Sequence, residues 1–167
     1  HRGDKDGFVA KLNAAGSAFE YLTYLGGTNV DYCNSIALDG DGNTYVTGLT
    51  RSADFWSTNA VQPQINNASR ILTTNLNFFA DAFVTKLAPS GALVYSTFLG
   101  GEDTDLGLRV TADALGNAYV TGSAQSQDFP VTYDVDGGVL TNRGRADVFV
   151  TKVAPDGGTN WAYSVLF

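Results

Sequence analysis

A chain of 167 residues, 44% of them hydrophobic, is long enough to pack the core of one domain. Charged residues are only 16% and the net charge is −7, with the basic side chains scattered, which excludes the clustered Lys and Arg that a nucleic-acid partner needs. No stretch approaches the ~18 consecutive apolar residues of a membrane helix, so no membrane insertion is expected.

The elements read as strands from the first one onward. The run 8-FVAKL-12 is followed by 21-YLTYLGG-27, then 35-SIALD-39 and 44-TYVTGLT-50. After a long Asn- and Gln-rich stretch come 82-AFVTKLA-88, 93-LVYSTFL-99, 109-RVTAD-113 and 118-AYVTGSA-124. Two last runs begin near Val148 and Trp161. Each is rich in Val, Thr, Tyr or Phe and bounded by Gly, Asp, Asn or Pro, which is strand and turn chemistry. No helical i, i+3, i+4 stripe persists.

These runs repeat. FVAKL returns as 83-FVTKL-87 and 149-FVTKV-153, YLTYLGG as 95-YSTFLGG-101, and 42-GNTYVTG-48 as 116-GNAYVTG-122. The pair 54-DF-55 returns as 128-DF-129, and a third copy of the YSTFL run begins as 163-YSVLF-167. The segment from Phe55 to Phe83 is longer than its counterpart from Phe129 to Phe149, so an insertion occupies 56–80. Four antiparallel strands per repeat of this length is the arithmetic of a β-propeller blade, whose sheet needs a neighbour on each face.

In this order, DGxGNxYVTG, DF, DxFVTKLxPxG and YSTxLGG resemble the SBBP repeat, a bacterial seven-bladed β-propeller repeat. The resemblance implies a propeller in secreted or cell-surface proteins and no shared reaction. It gives an all-β chain of about two and a half blades: a half blade over 1–34, a full blade over 35–101, and a second over 102–167 clipped at its last strand. A closed propeller takes roughly 4–8 blades. The chain is therefore expected to be part of a longer polypeptide, or to share blades with other copies across open sheet edges.

Few residues point to chemistry. The stretch 39-DGDGN-43 spaces Asp39, Asp41 and Asn43 like a calcium loop, but the sixth and twelfth positions are Thr44 and Thr50 rather than Gly and Glu. Its counterpart 113-DALGN-117 loses the middle acid, which favours a hairpin turn. The acids after the glycine pairs, Asp31, Glu102, Asp103 and Asp105, could hold a cation or basic ligand, or could be solvated loop acids. In the insertion, Trp56, Asn66, Asn67 and Arg70 are candidate contact residues, because the repeat did not dictate them. Trp56 stands where the second copy has Pro130, and together with Tyr133 it is the aromatic best placed to stack on a carbohydrate. The recurring Phe8, Phe83 and Phe149 read instead as packing.

The rest reads as background. His1 is the only histidine and Cys33 the only cysteine, so no Ser-His-Asp or Cys-His set can be assembled and no internal disulfide exists. Cys33 is expected to be a small buried apolar residue. Arg2-Gly3-Asp4 and the acceptor-like Asn67-Ala68-Ser69 are read as ordinary loop sequence. No cofactor is expected. The function expected is a non-enzymatic extracellular scaffold or binding module of a surface, filament or sheath assembly, binding its own remaining blades, other copies, a carbohydrate or a surface protein. The alternative is an extracellular glycosidase or lyase with paired carboxylates on a propeller face.

Overall fold

A computed structural model describes residues 2–66, 79–132, 145–158 and 161–167. These residues contain ten strands and no helix: β1 (Gly7–Leu12), β2 (Phe19–Leu25), β3 (Asp31–Leu38), β4 (Thr44–Thr50), β5 (Asp81–Leu87), β6 (Leu93–Leu99), β7 (Asp105–Ala112), β8 (Ala118–Ala124), β9 (Asp147–Val153) and β10 (Tyr163–Leu166). Each strand pairs antiparallel with the next inside its sheet, giving a β1-β2 pair, a β3-β4-β5-β6 sheet and a β7-β8-β9-β10 sheet. This is a half blade and two full blades, as the repeats predict.

The inner strands differ from expectation at one end. β3 and β7 begin at Asp31 and Asp105, before the predicted runs at Ser35 and Arg109. Both carry a β-bulge at the same place, between Cys33 and Ser35 and between Gly107 and Arg109. The bulge breaks the in-out alternation, so sequence periodicity detects only the half of the strand beyond it.

The core consists of two seams between sheets. In the first, Val9 and Leu25 of the half blade meet Val46, Phe83, Leu87 and Phe98 of the next sheet. In the second, Tyr45, Val84, Tyr95 and Leu99 meet Val110, Val120, Phe149 and Val153. Alternation explains this allocation. In YVTG the valine faces the preceding sheet and the tyrosine the following one; in FVTK the phenylalanine faces back and the valine forward. The aromatic of each DF pair completes a seam: Phe55 lies 4.5 Å from Phe83, and Phe129 lies 4.7 Å from Phe149, ring centre to ring centre. Phe83 and Phe149 are therefore seam residues, as expected, whereas Phe8 is 62% exposed and belongs to neither seam among the described residues.

Backbone bonds tie the seams at one end. Asp31 N–H donates to the Lys5 carbonyl and Asp105 N–H to the Ala80 carbonyl, each at 2.7 Å. Each inner strand thus begins hydrogen-bonded to the chain just ahead of the third strand of the sheet before it.

Candidate functional site

The acids after the glycine pairs are the first candidates, and the fold uses them as internal brackets. Asp31 is buried and accepts from Gly27 N–H at 2.8 Å, Ser52 Oγ at 2.7 Å and Thr50 Oγ1 at 2.5 Å. Asp105 is equally buried and accepts from Gly101 N–H at 2.8 Å, Gln125 N–H at 3.0 Å, and the Ser126 N–H and Oγ at 3.3 and 2.6 Å. Neither is a solvated loop acid, and neither offers an open face to a cation or ligand. Both read as loop acids in the sequence because Asp sits beside Gly and Asn there. In the fold they close the Gly-Gly turn onto the start of the inner strand.

A second layer completes each bracket. Ser52 Oγ accepts from Asn29 N–H at 2.9 Å, and Ser126 Oγ from Asp103 N–H at 2.8 Å. Asp54 and Asp128 accept from Thr28 N–H and Glu102 N–H, both at 2.8 Å. The glycines are required by this crowding. A Cβ on Gly27 would fall 2.5 Å from Ser52 Cβ, and one on Gly101 would fall 2.7 Å from Ser126 Cβ. Sequence reading missed the two serines. The signal was present, because 52-SADF-55 and 126-SQDF-129 keep Ser, Asp and Phe in phase.

Removing one bracket has a predictable cost. Asp105→Ala strands several buried donors at once, and urea unfolding is expected to show a loss of about 3 kcal/mol. Asp105→Asn keeps acceptor capacity and is expected to lose less. An Asp105→Ala chain as stable as the parent would mean the carboxylate is not what holds the loop.

The remaining candidates fall into place one by one. Glu102 is exposed on the bracket loop. Asp103 Oδ1 accepts from Thr104 N–H at 3.0 Å, as Asn29 Oδ1 does from Val30 N–H at 2.9 Å, so no charge is needed at that position. Asp31 serves one loop and the other three acids serve the next, so the four do not converge. Asn66 is committed to the fold: its Nδ2 donates to the Gly100 carbonyl at 2.9 Å and its N–H to Asp81 Oδ2 at 3.1 Å. Trp56 packs half-buried against the first seam and lines a shallow recess with Leu22, Tyr24, Arg2 and Asp6. Asn67, Arg70 and Tyr133 lie outside the described residues, as does the Asn67-Ala68-Ser69 triplet.

The first part of the insertion has a structural role. Thr58 exchanges two backbone bonds with Ser96, Gln62 O accepts from Phe98 N–H at 3.1 Å, and Asn59 Nδ2 donates to the Val94 carbonyl at 2.8 Å. Residues 58–66 thus cover the outer edge of β6, and Thr132 covers β10 in the same way through Ser164. Covered outer edges do not template pairing with other chains.

The stretch 39-DGDGN-43 is a hairpin turn. Asp39 Oδ1 accepts from the N–H groups of Asp41 and Asn43 at 3.0 and 2.9 Å; Oδ2 accepts from Asn43 Nδ2 and the Tyr45 hydroxyl, both at 2.8 Å. Gly42 supplies the positive φ of 82° that closes it. Asp113, Asn117 and Tyr119 repeat the arrangement around Gly116, and the Asn117 amide with its fellow donors holds the Asp113 carboxyl down at about 2. With its carboxylate lone pairs taken by donors, Asp39 serves the turn. No group of three or more His, Cys, Asp or Glu that could hold a metal occurs among the described residues. Cys33 packs half-buried against the first seam, where burial, with Asp31 nearby, raises its thiol to about 12. It is a packing residue rather than a reactive thiol.

The tyrosine of each turn links to the next sheet. The Tyr45 hydroxyl, which donates to Asp39, also lies 2.9 Å from the Gly116 carbonyl oxygen, and Lys86 Nζ lies 5.1 Å over its ring while donating to the Pro155 carbonyl at 2.9 Å. Nearly every letter of the repeat therefore has a structural task at a turn or a seam.

The family model described as SBBP, beta-propeller repeat, matches residues 20–55 and 94–130. Each match runs from the outer strand of one sheet through the inner two of the next, so the recurring sequence unit straddles a seam. Among curated proteins none matches the chain.

Proposed function

The chain carries SBBP beta-propeller repeats, and from that premise we propose that it works outside the cell as a non-enzymatic propeller module, a scaffold or binding element of a surface or filament assembly. One observation carries this reading. The repeated carboxylates that could have served chemistry, Asp31, Asp39, Asp54, Asp105, Asp113 and Asp128, each accept hydrogen bonds from backbone N–H groups of the repeat's turns. A repeat that spends its acids on geometry makes a rigid frame, and specificity then falls to what varies between blades. The recess beside Trp56 is the natural place for a carbohydrate or a surface-protein contact.

A second reading, a hydrolase or lyase acting on polysaccharide, draws on one feature. Asp81 and Asp105 are neighbouring buried carboxyls, both pushed up by burial, to about 8 and about 6. A raised acid beside a second carboxylate is glycosidase-like, but both are 0% exposed, out of reach of a polymer. The test incubates the full chain with a panel of polymeric glycans and measures co-sedimentation and newly formed reducing ends. A scaffold leaves every polymer uncut. Turnover that disappears in Asp81→Asn would overturn the scaffold reading in favour of the enzyme.

A further inference from the structure

The two seams of the fold are not copies of each other at the rim that carries the brackets. The chain at Val30 runs between two neighbours. Lys5 forms a parallel bridge with it, and Arg51 N–H donates to its carbonyl at 3.1 Å. Next along β3, Asp31 pairs with Thr50 and Tyr32 with Leu49. Alternation then puts Lys5, Val30, Tyr32, Leu49 and Arg51 on one face, opposite to the Asp31 and Thr50 side chains of the bracket. The Lys5 side chain agrees with that placement: its Nζ donates to the Tyr32 hydroxyl at 3.3 Å and lies 5.8 Å from the ring centre.

The second seam repeats this frame without its charges. Asp105 N–H donates to the Ala80 carbonyl and Gln125 N–H to the Thr104 carbonyl, just as Asp31 and Arg51 bond Lys5 and Val30. Lys5, Tyr32 and Arg51 thus stand where the second seam has Ala80, Leu106 and Gln125. The face also stays open beside a complete blade. β4 turns Tyr45 and Thr47 toward the second blade, and Leu49 and Arg51 follow by alternation. All four strands of that blade are in place, yet Tyr32 is 41% exposed and Leu49 and Arg51 are half-buried. Because the Tyr32 hydroxyl accepts from Lys5, its own proton is left to donate. Arg51 Nε is buried and meets no acceptor among the described residues. In a chain of net charge −7, neither Lys5 nor Arg51 forms an ion pair among those residues.

We propose that this patch binds the carboxylates of an acidic polysaccharide, one held by the Lys5 ammonium and the Tyr32 hydroxyl, the next by the Arg51 guanidinium. Arginine suits a carboxylate through its fork of donors. The Lys5 and Arg51 backbones stand two strand spacings apart, roughly 10 Å. That is too wide for one carboxylate and right for a polymer that repeats them. Arg2 and Trp56 of the shallow recess lie three and five residues along the same two segments, so an extended chain has a continuous path. An acidic peptide gains less here. The Val30 carbonyl and the Asp31 N–H are already bonded, so the patch has no free backbone for strand addition.

This inference rests on the scaffold reading and names the ligand class of its first seam. The test measures binding of the full chain to polygalacturonate, to its methyl ester and to polyglutamate, at about 20 and about 200 mM salt. Polygalacturonate is expected to bind at low salt and to weaken at high salt. The uncharged ester is expected not to bind, and polyglutamate to bind at least tenfold more weakly. Lys5→Ala with Arg51→Gln installs the residues of the second seam and is expected to lose about tenfold in affinity with an unchanged urea midpoint. Tyr32→Phe removes only the hydroxyl, and its expected loss of about threefold reads the same patch if the double variant is less stable. The proposal is overturned if the folded parent leaves polygalacturonate unbound at low salt, or binds the ester equally. It is equally overturned if both variants bind like the parent, or if polyglutamate binds as tightly, since an acidic peptide would then be the partner. Reducing ends are counted in the same samples: cut polymer removes the scaffold reading, while uncut and unbound polymer removes only this inference.

Discussion

Gly122→Val is expected to unfold the second blade. A β-carbon at Gly122 would sit 1.8 Å from the Leu106 carbonyl oxygen, and Gly48 stands in the same relation to the Tyr32 carbonyl. Both oxygens belong to backbone at the bulge of the inner strand, where the register shifts, so no rotamer change relieves the clash. Phe149 closes the other side, with its Cε1 2.7 Å from the same β-carbon. Overpacking a core ordinarily costs about 1–3 kcal/mol through side-chain adjustment. A clash with paired backbone adds the lost ladder bonds, so a loss above about 4 kcal/mol is expected. The two tryptophans make the result local. Trp161 packs against the second seam and Trp56 against the first. In urea, Trp161 fluorescence of Gly122→Val should report an unfolded environment while Trp56 stays native, because stacked repeats are stabilised seam by seam. Gly40→Ala is the control, since a β-carbon there has open space and is expected to change stability by less than about 0.5 kcal/mol. A Gly122→Val chain as stable as the parent would refute the account of the YVTG glycine.

That glycine also marks where the sequence was readable. The repeats disclosed the blades, the phase of the chain and the hairpins, because a turn needing positive φ and a seam needing a bulky apolar residue leave the same letter in every copy. What stayed hidden was long-range. Asp31 and Asp105 read as surface acids because their partners, Thr50 and Ser52, or Gln125 and Ser126, lie on the far side of the next hairpin. Residues 58–66 read as a free loop because they pair with β6 through an isolated bridge and side-chain bonds, which carry no alternation. The difference between the seams was equally invisible. Lys5 and Arg51 are unremarkable in sequence, and only the strand pairing shows that they flank one tyrosine.

Raising the pH is expected to weaken the parent chain, and Asp81→Asn to remove the larger part of the effect. Burial pushes the Asp81 carboxyl up to about 8; the Asn66 N–H and the Gln62 amide pull the other way, while Asp105 and Asp128 raise it further. Gly100 shows how close the two buried acids stand, since a β-carbon there would lie 2.7 Å from Asp81 Cγ and 2.9 Å from Asp105 Oδ2. Asp105 is surrounded by donors, so at neutral pH the proton of the pair resides on Asp81. The sign follows from linkage. Between an unfolded value near 3.9 and a folded value near 8, the folded chain binds the extra proton, so stability falls as pH rises through that window and levels off above it. The fall is on the order of several kcal/mol. Asparagine reproduces the protonated side chain without the charge. Asp81→Asn should therefore match the parent near pH 3, exceed it at pH 9, and show a clearly shallower fall of the urea midpoint between them, the remainder coming from Asp105. Asp105→Asn should leave more of the slope in place, since its folded value of about 6 spans a shorter window. A parent chain that gains stability from pH 5 to 9 would contradict the buried proton. So would an Asp81→Asn chain that keeps the parent's slope, and the junction between the two full blades would then have to hold two buried charges side by side.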